Sequence, residues 1–492
     1  MSSWPKQPVI YEINCWVWLR ELGNRLDHPI TLATVPCEEW ELLAGLGVDA
    51  VWLMGIWERS PAGIAIAGTH PGLLADFRRA LPGFVPADNV GSPYCIRRYR
   101  VDHHLGGDEG LAITRRELQK RGIRLILDFV PNHLATDHPW VTDHPEFFIT
   151  GSDNDNRVAP ASFREAGGRL LACGRDPYFP PWPDVLQLNA FDPGLRKAAV
   201  ETLSAIADRC DGVRCDMAML VMNDIFAKTW GERVGPQPDR EYWPEVIGAL
   251  RSSHPGFLFM AEAYWDREWA LQQQGFDYCY DKRLYDRLAH GSTEELRRNL
   301  SADLAYQERL VRFMENHDEP RAAATFSREQ AKAVAVIVAT LPGAVLLHEG
   351  QLEGRRIRLP LFLHRRPAEP PDQELREFHV ALLRLISREG VKSGRWSLCH
   401  CEGGDESGLC NLVAWSWEEG ERGHLVVVNL SPERAPGWIT LPPGELAPVP
   451  RRLRALPEGE ILLTVGEELG ESKVTVNLPP WGFQIFALGS QR

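Results

Sequence analysis

Apolar residues gather along this chain in short unbroken runs that alternate with stretches of helical period. Val9-Ile10-Tyr11-Glu12-Ile13-Asn14 reads as a strand and residues 37–46 as the helix after it. Residues 47–54 form a second strand, apolar on both faces apart from Asp49, and runs of the same kind recur at 123–130, 257–261, 310–314 and 343–347. Runs apolar on both sides suit parallel strands buried on both faces. Between them lie helix signals: Asp108 as an N-cap for a helix stopping at Gly122, Asp192-Pro193 opening another, and capping boxes at Ser292 to Glu295 and Ser327 to Gln330. Residues 372–389 carry Leu375, Phe378, Leu382, Leu385 and Ile386 at helical spacing, with Gly390 as the stop. From about residue 391 the pattern changes to short β-rich runs at 411–417, 425–430, 474–478 and 483–488, separated by Gly and Pro turns. Two stretches fit neither period. Residues 56–106 are too long for an ordinary strand-to-helix connection and either shape a site or only pack on the surface. Residues 134–182 show no regular period and are rich in Gly, Pro, Asp and Asn.

Four of the apolar runs stop on polar residues. Residues 123–130 include Asp128 and lead into Asn132-His133; Asp211-Gly212-Val213-Arg214-Cys215 leads into Asp216; residues 257–261 lead into Glu262; residues 310–314 lead into Asn316-His317-Asp318. Chemistry at the C-terminal ends of several strands is the placement expected of a (β/α)₈ barrel. In a strand, positions two apart face the same way, so Arg214 and Asp216 share a face and the cation keeps the carboxylate ionised. Glu262 follows a very apolar run, and burial favours a raised pKa. One ionised and one protonated carboxyl, about 5–5.5 Å apart, are what retaining cleavage of a glycosidic bond requires.

In residue type, order and spacing these four stretches resemble the four ordered regions of the α-amylase superfamily, glycoside hydrolase family 13. The resemblance implies an α/β fold: a (β/α)₈ TIM barrel, a small domain B inserted after the third strand, and a C-terminal all-β sandwich. The boundaries it implies are 1–133 and 183–390 for the barrel, 134–182 for domain B and 391–492 for the sandwich. It implies Asp216 as nucleophile, Glu262 as general acid/base and Asp318 as the third carboxylate. His133 and His317 match the family's subsite histidines, Arg214 the arginine before the nucleophile, and Asp128 a residue that orders this shell. Gly91-Ser92-Pro93-Tyr94 resembles the segment whose tyrosine stacks on the sugar at the cleavage point. Asn132 matches a position that ligates a structural calcium in many members, and residues 151–156 offer further oxygens or are simply a solvated polar turn. No other cofactor is implied.

The chain departs from the family pattern at several positions. Gln187 stands where many members carry aspartate. Arg98 replaces an acid four positions beyond the tyrosine, which points to a charged or phosphorylated donor. Met219 and Leu220 replace a lysine-histidine pair, which makes the acceptor side more apolar. The implied function is a retaining α-glycosidase acting on α-linked gluco-oligosaccharides or α-glucans. A transglycosylase of the same clan uses the same carboxylates, and a non-catalytic carbohydrate-binding protein is the third reading.

Composition narrows the partners. A net charge of -13, with arginines scattered rather than gathered, disfavours nucleic acid and anionic membranes and suits a neutral sugar. The N-terminal residues show no signal-peptide pattern and no apolar stretch reaches spanning length, so a cytoplasmic protein without membrane contact is expected. Ten dispersed cysteines suit free thiols. Seventeen tryptophans, among them Trp57, Trp140, Trp182, Trp265 and Trp269 in candidate site loops, suit both sugar stacking and core packing.

Overall fold

A computed structural model describes residues 4–403, 410–420, 422–441, 451–456, 461–464 and 473–490. Eight parallel strands close into a barrel: β1 (Val9–Asn14), β2 (Ala50–Met54), β3 (Arg124–Phe129), β4 (Gly212–Cys215), β5 (Leu258–Ala261), β6 (Tyr278–Tyr280), β7 (Leu310–Arg312) and β8 (Ala344–His348), with β8 paired to β1. Alternation along each strand divides the core in two. Ile10, Trp52, Ile126, Met260, Val311 and Leu346 belong to one cluster inside the barrel. Their neighbours Val51, Leu127, Val213, Phe259 and Leu347 belong to the cluster shared with the surrounding helices.

The fold adds elements that local pattern did not mark. β6 is only Tyr-Cys-Tyr, too short to register as a run, and it is held by pairing Met260 with Tyr278 and Cys279 with Leu310. A helix at Cys15–Leu26 starts directly after β1 and buries Cys15, Val17, Leu19 and Leu22. The helix Gly107–Lys120 begins two residues earlier than expected: Gly106, at φ 104°, is its N-cap, and Asp108 instead accepts from the Val101 N–H at 3.1 Å.

Both irregular stretches are structured. Residues 134–182 do not lack regular structure: His133–Ala135, Trp182–Gln187, Arg169–Gly174 and Phe163–Ala166 form a four-stranded antiparallel sheet in that order. The sheet therefore begins at His133 and runs past residue 182 to Gln187. Its strands are short and cut by Pro and Gly, which hides their period. The stretch after β2 contains a hairpin, Trp57–Arg59 with Ile96–Val101, and the helices Pro61–Ala67 and Pro71–Ala80.

The C-terminal domain is all antiparallel, with a six-stranded sheet facing a three-stranded one made of His400–Gly403, Ala435–Thr440 and Lys473–Leu478. Leu412, Ala414, Leu425, Val427, Ile439 and Phe486 are among the residues that fill the space between. The opposite face, with Trp415, Trp417 and Val428, packs into the main core. Polar contacts join it to the barrel, among them Trp417 Nε1 donating to Thr340 O at 2.8 Å and Arg297 Nε donating to Leu412 O at 3.1 Å. Among the described residues no helix is long and apolar enough to cross a membrane.

Candidate active site

The strand register assembles the site. Cys215 lies opposite Ala261, so Asp216 and Glu262, the next residue on each strand, stand one strand spacing apart, about 4.8 Å at the backbone. Arg214 lies opposite Asp128 on the other side. The inward face of β3, β4 and β5 thus delivers Asp128, Arg214, Asp216 and Glu262 to one end of the barrel, where all four are buried.

Arg214 is the centre of this group. Its Nη1 donates to Asp216 Oδ1 at 2.7 Å and lies 3.6 Å from Asp128 Oδ1, while Nη2 forms an ion pair with Glu262 Oε2 at 2.7 Å. The guanidinium also lies over the rings of Trp52 and Tyr94, 5.3 and 5.0 Å from their centroids. Burial opposes its charge, but Glu262, Tyr94, Tyr280 and Asp216 hold its pKa well above the ordinary value.

The carboxyls around it differ. Burial, joined by the charges of Asp216 and Asp318, raises Glu262 to about 7 against the pull of Arg214. Its Oε2 accepts from the Met217 N–H at 2.6 Å and its Oε1 from the Tyr264 hydroxyl at 3.0 Å. Met217 reaches this position with φ at 42°, a left-handed conformation that costs a non-glycine residue of order 1 kcal/mol or more. Burial likewise raises Asp128 to about 6, and among the described residues neither of its oxygens accepts a hydrogen bond.

Asp318 follows the opposite course. Its side chain is 41% exposed and faces the cavity, with Oδ2 2.9 Å from His317 Nε2. What burial it has pushes the pKa up, but His317, Arg214 and Arg358 outweigh it and hold the carboxyl down at about 2. His317 is itself buried; Asp318 and Glu12 overcome the burial and raise its pKa well above the usual imidazole range, so the ring is cationic at neutral pH. Glu12 Oε1 bonds to His317 Nδ1, and the Tyr94 hydroxyl lies 2.8 Å from Nε2. His133 is the reverse case, kept neutral by burial, with its ring 5.1 Å from that of Trp182.

These residues open on a cavity of about 560 Å³ lined by Tyr94, His133, Asp216, Glu262 and Asp318 together with His70, Leu73, Trp182, Met217, Tyr264 and Phe362. The stretch after β2 therefore does contribute to the site. Among the tryptophans singled out in the sequence, Trp182 lines the cavity, whereas Trp57 is buried with Nε1 bonded to Asp128 O, and Trp269 is 55% exposed beside Tyr306. Glu12 went unrecognised in the sequence; its signal was an acid at an inward position of an otherwise apolar strand.

Three expectations fail on the geometry. Arg98 is outside the cavity lining, on the hairpin, 3.6 Å from Glu58, so it supplies no donor-side charge. Met219 and Leu220 are buried in the core in a short 3₁₀ turn and present no apolar acceptor surface; Met217 is the residue of that segment that reaches the cavity. The residues around Asn132 do not fit calcium. Gln187 Nε2 donates to Asn132 Oδ1 at 2.8 Å and to Asn132 O at 2.9 Å, so an amide donor stands where a cation needs oxygens. Ser152 and Asp155 are engaged in a helix capping box, and Asp155 pairs with Arg233 at 2.6 Å.

The family model for the alpha-amylase catalytic domain matches residues 37–168. The chain is 26% identical over 364 residues to the alpha-amylase MalA of Haloarcula japonica, covering 72% of this chain and 45% of that protein. It is 19% identical over 373 residues to alpha-amylase 3 of Dictyoglomus thermophilum, covering 71% and 64%. The match thus spans less than two thirds of either relative. Among solved structures, a maltogenic alpha-amylase, AmyB from Thermotoga neapolitana, superposes with a TM-score of 0.70 at 21% identity, covering 99% of both chains. The alpha-amylase of Geobacillus thermoleovorans complexed with acarbose gives 0.69 at 16% identity over the whole of both chains. These structural likenesses establish the fold.

Two outcomes follow from the site. Arg214→Met leaves buried carboxylates unpaired and lowers stability by about 3–5 kcal/mol at pH 8. Without the cation the folded-state pKa values of Asp128 and Glu262 rise further above the unfolded ones, so the variant takes up its protons at higher pH than the wild type and the deficit narrows as pH falls toward the wild-type values of about 6 to 7; denaturant unfolding at several pH values checks this. A calcium chelator leaves the melting temperature of the protein unchanged, as read by calorimetry with and without added calcium.

Proposed function

We propose that the chain is a member of the alpha-amylase family, whose catalytic-domain model matches residues 37–168, and that it is a retaining α-glycosidase that cleaves α-glucosidic bonds in oligosaccharides or α-glucans. The register that sets Asp216 beside Glu262, with one guanidinium between their carboxyls, carries this reading. Adjacent strand ends set the two residues one strand spacing apart at the backbone, which supports the short carboxyl separation a retaining site needs.

In the first step the Asp216 carboxylate attacks the anomeric carbon while protonated Glu262 gives its proton to the departing glycosidic oxygen. A covalent glycosyl ester on Asp216 results. In the second step the Glu262 carboxylate takes a proton from water, whose oxygen displaces Asp216 and restores the α configuration. A pKa of about 7 serves both steps, since the same group must be an acid and then a base near neutral pH. Asp318, ionised at about 2, accepts hydrogen bonds from ring hydroxyls, bonds that strengthen as positive charge grows on the sugar. Neutral His133 and the Tyr94 ring contact the sugar without adding charge. A sugar hydroxyl in place of water in the second step gives transglycosylation with the same residues. All ten cysteines are free thiols, which suits the cytoplasm.

With a maltooligosaccharide ladder as substrate, the wild type yields shorter sugars and Asp216→Asn yields none. A fluorinated glycosyl donor adds one glycosyl unit to the peptide bearing Asp216; turnover without such an adduct counts against the retaining route. The rate falls as pH rises through about 7, because protonated Glu262 is lost, and a pH profile of kcat locates that limb.

A further inference from the structure

Two long excursions, one after β2 and one after β8, are bonded to each other before either reaches the active site. The Val90 N–H donates to Phe362 O at 2.8 Å, the His364 N–H donates to Asp88 O at 3.1 Å, and Asn89 bridges to Leu363. Arg365 grips both oxygens of Asp88, with Nη2 to Oδ2 at 2.8 Å, and donates to Gly83 O at 2.8 Å. Buried Arg59 donates to carbonyls on both excursions, those of Gly91 and Leu361. Beneath these bonds Phe77, Leu81 and Leu363 form a small apolar core of their own. The result is a cross-linked wall, whose half-buried Leu73 and Phe362 pack against that core and also line the active-site cavity beside His70.

The wall stands on one particular side. It carries Tyr94 on its first excursion, and Arg358 of the second donates to Asp318 O. Those are the residues that hold the sugar being transferred. The leaving-group side belongs to Glu262, Met217 and Tyr264. Next to Tyr264, Trp265 meets Tyr178 at 4.9 Å between centroids, and Tyr178 and Phe179 are 61% and 68% exposed.

Resting on the glycosidase reading, we propose that this wall closes the donor side, so that the enzyme is exo-acting and removes short units from the non-reducing ends of α-gluco-oligosaccharides, with Leu73 and Phe362 setting the limit. A groove for internal cleavage must let the chain leave at both ends. Here the end beyond Tyr94 and Asp318 meets apolar side chains backed by two excursions bonded to each other through one β-bridge and the Asp88–Arg365 ion pair.

Matched p-nitrophenyl maltooligosides, free or carrying an acetal across the terminal 4- and 6-hydroxyls, separate the alternatives. The free substrate is cleaved and the blocked one is slower by at least about 10–200-fold, the discrimination a few misplaced atoms give in a fitted pocket. Equal rates on both would establish internal cleavage and overturn the proposal while leaving the glycosidase reading intact. Cleavage of neither would overturn both. The double variant Leu73→Ala with Phe362→Ala raises the blocked-to-free rate ratio about tenfold or more, and an unchanged ratio in a folded variant would show that these side chains do not set the limit.

Discussion

One buried guanidinium governs the architecture of the site. Arg214 lies among three carboxyls delivered by three adjacent strands, Asp128 from β3, Asp216 from β4 and Glu262 from β5. A single positive charge cannot balance three negative ones in a dry interior, so the surplus is relieved by protons. The pKa values of about 6 for Asp128 and about 7 for Glu262 express that relief. Asp216 accepts from Nη1 at 2.7 Å while Nη2 pairs with Glu262 at the same distance. Beside this group the His317 ring lies between Glu12 and Asp318, and with Arg214 and Arg358 it holds Asp318 ionised across the working range. The two neighbouring clusters therefore yield an acid and a permanent acceptor within one cavity.

Much of this was legible locally. Apolar runs marked seven of the eight barrel strands, polar ends singled out the four that carry the site, and the period of two put Arg214 and Asp216 on one face. The residues that escaped notice are those whose meaning depends on distant partners. Glu12 acquires its role from His317, 305 positions away. β6 is a strand only because β5 and β7 flank it. The sheet that opens at His133 has strands of three to six residues, below the length at which a period can be heard.

Position alone also misled where environment decides. Arg98 occupies a family position yet turns to Glu58, and Met219 and Leu220 turn into the core. At Asn132 the matching residue is present, but its oxygen is taken by the Gln187 amide. A neutral side-chain pair thereby ties the start of the inserted sheet to its end, a task that an ion would perform with far greater charge and far stricter geometry.

The wall has a consequence for how such a chain can change. Its two halves lie 277 residues apart at the Asp88 and Arg365 contact, and each satisfies groups on the other. Exchanging one half alone for a shorter loop would strand the Asp88 carboxylate without its cation and bare Phe77 and Leu81 to water. Chimaeras made at a single loop would thus pass through insoluble intermediates, and drift in substrate length would require paired exchanges at both, a barrier in sequence space rather than in chemistry.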